Sequence, residues 1–118
     1  MIYTGYFSKI KEYKSLGYTV VSISRTEPFP VDGKLLTLAP DENILWGYKN
    51  GEIDEMEYTS LYLDQLNKIG IRNILKGIHS FGDDVILVCW EKSNKFCHRH
   101  ILADYINKNS KLNILEYE

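Results

Sequence analysis

DVILVCWEKSNKFCHRHILADYI, Asp84 to Ile106, divides into three parts of different chemistry. Val85 to Cys89 is an unbroken apolar run with β-branched residues. Such a run suits a strand covered on both faces, as in parallel sheets. Glu91 to Lys95 is a polar loop in which Ser93 or Asn94 can cap a helix. A helix then spans Lys95 to Asn107, with Cys97, His98, Arg99 and His100 in its first turn and Cys97 near its third position.

The first N–H groups of a helix lack internal partners, and its dipole makes that end partly positive. A strand end that feeds a helix start is therefore a natural anion site in α/β proteins. At 100° per residue, Ile101, Leu102, Tyr105 and Ile106 form the apolar face. His98 falls in the middle of that face, and Cys97 and Arg99 on its edges. His100 falls on the wet face, one turn from Asp104.

Working outward, Met1 to Phe7 and Tyr18 to Ser24 (YTVVSIS) read as two more strands. Between them Ser8 can cap a short helix with Ile10, Tyr13 and Leu16 on one face, and Gly17 can close it. Arg25 to Pro30 leaves the second strand as an extended loop, so Arg25 stands at a strand end as Arg99 does. Two arginines converging from separate strand ends suit a phosphate or carboxylate; the alternative is that Arg25 pairs with Glu27 or caps a carbonyl. Val31 to Leu38 reads as an edge strand or a loop over the site. Pro40 can start a helix with Ile44, Leu45 and Tyr48 inward, ended by Asn50-Gly51, and Trp46 on it can cover the crevice or simply pack. Asp54 with Glu57 resembles a capping box before a helix that Gly70 breaks at Ile69. Ile71 to Ile78 is a second short helix, and Leu112 to Tyr117 a last strand. The sequence predicts a single α/β domain with a mostly parallel sheet of four or five strands and helices on both faces.

The 118 residues suffice for one domain with a real core, and 44% hydrophobic with 25% charged residues is ordinary globular composition. A net charge of −2 gives no strong pull toward nucleic acid or membrane surfaces. No apolar run approaches the roughly 20 residues of a membrane span. Two cysteines and no signal-like start point to a reducing cytoplasm. No cofactor is implied, and self-association is open.

Three chemistries compete at the Cys-His-Arg turn. The first is a pocket for a phosphate-bearing small molecule such as a nucleotide. There Arg25, Arg99 and the N–H groups of Cys97 and His98 hold the anion, and Tyr6, Trp46 or Trp90 stacks on a base. The second is thiol catalysis at Cys97, whose pKa a helix dipole and nearby cations lower. The loop motif of thiol phosphatases is absent, since the residue six beyond Cys89 is Lys95, not Arg. The third is metal. Cys89, Cys97, His98 and His100 are acceptable zinc ligands, but neighbours on one helix diverge, and no metal site is expected. Cys89, in an apolar strand, reads as packing, and His98 as a residue that bonds a backbone carbonyl and pins the loop to the sheet.

Cys89, Glu91, Lys92, Cys97, His98, Arg99, Leu102 and Ala103 together resemble the C-terminal signature of the DUF488 family, especially its phage-like branch. The opening Ile2-Tyr3-Thr4-Gly5 is similar to that family's start. Ser24 stands nearest to an Asp the family usually carries. The resemblance implies an α/β fold. Its phage-like character implies a small protein, in the cytoplasm of a bacterial host, that sequesters a nucleotide signal. The expected function is recognition of a nucleotide-like or other phosphate-bearing ligand. A small Cys-dependent enzyme acting on a phosphorylated or sulfur-bearing substrate, and a structural or interaction module, are the alternatives.

Overall fold

The computed structural model describes residues 1–91 and 95–117. Five strands form one sheet in the order β3-β2-β4-β1-β5: β1 (Ile2–Tyr6), β2 (Thr19–Ser22), β3 (Gly33–Lys34), β4 (Val85–Cys89) and β5 (Leu115–Glu116). Every pairing is parallel. β4 lies between β1 and β2 and is buried along its whole length, as its unbroken apolar run requires. The register sets Tyr6 beside Cys89 and Ser22 beside Val88, so the carboxyl ends of three strands finish level.

Both faces of the sheet are covered. Helix α1 (Ile10–Ser15) follows a 3-10 turn at Phe7–Lys9, and Phe7, Ile10 and Tyr13 pack on Val20, Ile86 and Val88. Gly17, at φ 90°, closes α1: its N–H donates to Lys14 and that of Tyr18 to Tyr13. This doubles the bonding of the last turn's carbonyls in the left-handed geometry that suits glycine. Ser8 does not cap α1, and Leu16 is exposed. Leu16 is the C-cap of α1, immediately before Gly17.

The other face carries α2 (Glu42–Lys49), α3 (Glu55–Ile69), α4 (Ile71–His79) and α5 (His98–Asn109). Their buried residues, among them Tyr58, Tyr62, Leu66, Ile74, Ile78, Leu102 and Ile106, pack on Val21, Val85, Leu87 and Cys89 of the sheet. The Asp54 side chain accepts from the Glu57 N–H and caps α3, as the spacing requires. From α3, Tyr62 donates to the Leu38 carbonyl and the Gln65 amide to Thr37 and Ala39, while Gln65 Oε1 accepts from the Asp41 N–H. These bonds hold the chain before α2 against the sheet end and place Pro40 over it. Among the described residues, no helix is long and apolar enough to cross a membrane.

The Ser93 or Asn94 cap lies outside the described residues. Helix α5 itself begins at His98, three residues later than the sequence suggests, with an extended Cys97 as its N-cap. Cys97 therefore stands before the first turn, not within it.

Candidate functional site

A cavity of about 730 Å³ opens at the carboxyl ends of β2 and β4. Ser24, Arg25 and Thr26 line it after β2, Pro40, Leu45, Tyr48, Lys49 and Tyr58 line its far wall, and Cys89 to Glu91 with Phe96 to His98 complete it.

The segment after β2 is folded tightly on itself. The Ser22 hydroxyl accepts from the Ser24 N–H and donates to Glu27, which also pairs with Lys34 at 2.9 Å. Lys34 in turn donates to the Arg25 carbonyl. Ile23 donates its N–H to Val88 and accepts from His98 Nε2 at 2.6 Å, so one residue ties the segment to both β4 and α5. Arg25 does not pair with Glu27. Its Nε donates to the Pro40 carbonyl, and a terminal nitrogen lies 3.7 Å from the exposed Glu42 carboxylate. Carbonyl capping is thus the correct half of the structural reading, and the residue still lines the cavity. Ser24 is only 4% exposed, and its hydroxyl has no hydrogen-bond partner among the described residues.

Arg99 departs furthest from expectation. It is 0% exposed and faces away from the cavity mouth. Nε and a terminal nitrogen grip both oxygens of Glu116 at 3.0 and 2.8 Å. Its other terminal nitrogen donates to Cys89 Sγ at 2.9 Å and to the Glu91 carbonyl at 2.5 Å. An arginine held this way does not bind an external anion. Burial alone would raise the Glu116 pKa, but hydrogen bonds from Arg99 and Thr4 outweigh it and hold the carboxyl below its usual range. The sequence missed this partner because Glu116 lies on β5, and nothing local to Arg99 shows that β5 returns beside β1. Tyr6 is also corrected: it is outside the cavity, with the Arg99 guanidinium 5.8 Å from its ring centre. Trp46 is exposed beneath Lys49 and does not line the cavity either. Trp90 does line it, anchored by its indole N–H on the Thr26 carbonyl at 3.0 Å.

Cys97 and Cys89 come together. Their sulfurs are joined as a disulfide, and both residues line the cavity. The Cα atoms are 7.5 Å apart, beyond the roughly 4.4–6.8 Å common in disulfides. Cys89 is more than a packing residue, a role its apolar neighbours concealed. His98 Nδ1 lies 3.6 Å from Cys97 Sγ. Because Nε2 must donate to the Ile23 carbonyl, Nδ1 carries the bare lone pair. Burial, only partly offset by that bond, pushes the His98 pKa down to about 4, so the ring is neutral. Cys89, Cys97 and His98 bring three ligand-capable atoms within 4.8 Å. In the joined form the sulfurs bond each other, and Arg99 donates to one of them. His100 is half-buried, not on a wet face, and burial lowers its pKa.

A family model, DUF488-N3a, described as the active DUF488-N3 subclade, matches residues 19–110. The chain belongs to this family. No curated protein and no solved structure matches it.

Proposed function

We propose, for this member of an active subclade, that the cavity binds a small ligand with a phosphate or similar anionic group and a flat ring, as a nucleotide has. The observation that carries this reading is Ser24. A buried hydroxyl without a partner costs roughly 1–3 kcal/mol, and such groups in native proteins call for an explanation. A ligand oxygen or N–H in the cavity supplies one. Arg25 and Lys49 bring positive charge to the same space, and Tyr48, Tyr58, Phe96 and Trp90 bring rings on which a base can stack. This takes over the anion-binding role that the sequence suggested for Arg99 and gives it to residues that face the cavity. Capture of a nucleotide signal in a phage-infected host is one use such a site would serve.

Calorimetric titration with a panel of nucleoside mono- and diphosphates and inorganic pyrophosphate tests it. A nucleotide should bind, and Arg25→Ala should weaken it roughly ten- to hundredfold, the loss of one charge-assisted bond. Ser24→Ala should lower affinity several-fold while leaving thermal stability unchanged or raised. No binding by any of these probes, or binding indifferent to Arg25→Ala, overturns the reading.

A further inference from the structure

We infer that Cys97 and Cys89 form a reversible thiol–disulfide exchange centre acting on a small anionic disulfide in the cavity, with Cys97 attacking and Cys89 resolving. The anionic part of this ligand rests on the binding reading above; the sulfur chemistry stands on separate contacts. The structure holds the joined, oxidised form. In a reducing compartment such a pair is usually transient and catalytic or redox-sensing.

The two sulfurs have different surroundings. Cys97 is the less buried of the two, at 6% exposed against 0% for Cys89. It caps the start of α5, where the helix dipole favours a thiolate, and its sulfur faces the bare Nδ1 of His98. These are the surroundings of an attacking thiol. Cys89 ends β4 with an Arg99 N–H 2.9 Å from its sulfur. That bond is charge-assisted only when Cys89 is a thiolate, so Arg99 keeps it ready to resolve.

In the reduced protein, Cys97 releases its proton to solvent at the start of α5, where the helix dipole favours the thiolate, and that thiolate attacks one sulfur of the bound disulfide R–S–S–R. The S–S bond of the ligand breaks, and the departing thiolate takes a proton from solvent, which holds the one Cys97 gave up, and leaves as R–SH. The Cys89 thiolate then attacks the Cys97 sulfur of the mixed disulfide and forms the bond seen here. The second R–S⁻ leaves and is protonated from solvent, which holds the proton Cys89 gave up. The protein loses two electrons, and the ligand gains them as two thiols. Small thiols run the reaction backward by the same steps.

The test uses the reduced full chain with dithiobis-nitrobenzoate, an aromatic disulfide with carboxylates that reports its own release. Wild type should release two thiolates per chain and end with Cys89 joined to Cys97 and no adduct by mass. Cys89→Ser should release one and keep the adduct on Cys97. Cys97→Ser should react at least about tenfold more slowly, since only the buried Cys89 remains. Two stable adducts on wild type, or equal rates in the two variants, overturn the inference. So does a stoichiometric zinc in the reduced protein that blocks release. Dithiodipyridine, which is uncharged, separates this from the binding reading. Arg25→Ala should slow the charged probe more than the uncharged one. If it slows neither, the anion site fails while the release pattern still decides the exchange centre.

Discussion

At the scale of single residues, neighbours in sequence do different work. Arg99 and His98 are adjacent, yet one grips Glu116 and the other Ile23. For His98 the sequence offered a ligand role and, as the alternative, a bond to a backbone carbonyl that pins the loop to the sheet, and its bond to the Ile23 carbonyl bears out the alternative. It did not show the Arg99 partner, which sits seventeen residues on, on a strand whose place in the sheet no local pattern reveals. Removing one member of a buried, bidentate ion pair leaves the other charge uncompensated. Arg99→Ala should therefore lower unfolding free energy by about 3–5 kcal/mol, as read by urea denaturation. Unchanged stability with lost nucleotide affinity would return Arg99 to the ligand site.

At the scale of elements, legibility follows how local the determining contacts are. α3 was readable from its Asp54 cap and its apolar spacing, α4 from Gly70 and the apolar Ile74, Leu75 and Ile78, and β4 from its uniform apolarity. β5 falls within the last strand expected at Leu112 to Tyr117, and β3 within the edge strand or loop expected at Val31 to Leu38, but each is only two residues long, because the neighbouring strand that offers it a ladder sets its length. The start of α5 was placed too early because loop residues with good capping chemistry precede an extended Cys97. The packing of α1 on the sheet depends on one missing methyl group. A Cβ at Gly5 of β1 would overlap the Tyr13 hydroxyl and lie 2.8 Å from the ring carbon Cζ. Tyr13 is fully buried and its oxygen accepts from the Tyr6 N–H, so the ring cannot swing away without losing that bond. Gly5→Ala should cost about 1–3 kcal/mol, the usual range for overpacking. A thermal unfolding midpoint equal to wild type would show that α1 can shift to make room.

At the scale of the whole molecule, the buried ionisable groups tie stability to acidity. His98 titrates at about 4 when folded and near 6.5 when unfolded. Between those values the unfolded chain takes up a proton that the folded chain refuses, so stability falls as the pH drops through that window. The loss is on the order of 3 kcal/mol. Glu116 acts further down: its folded pKa is depressed, so its contribution is present above the unfolded value and is lost as the pH falls through the folded one. Urea midpoints measured from neutral pH to about pH 4 should decline, and His98→Gln should flatten the decline. A flat wild-type profile would mean that His98 is charged inside the fold.

The strand order also sets the timing of the chain's birth. β2 finds β3 a few residues on, at Val21 and Gly33, but β1 has no native neighbour until β4 and β5 exist, since Ile2 aligns with Val85 and Tyr3 with Leu115. On a ribosome adding roughly 5–20 residues per second, β1 waits several seconds or more with its edges unsatisfied. Contacts of such long sequence separation also slow the search once synthesis is over. A chaperone that shields Ile2 to Tyr6 during synthesis should therefore raise the yield of folded chain.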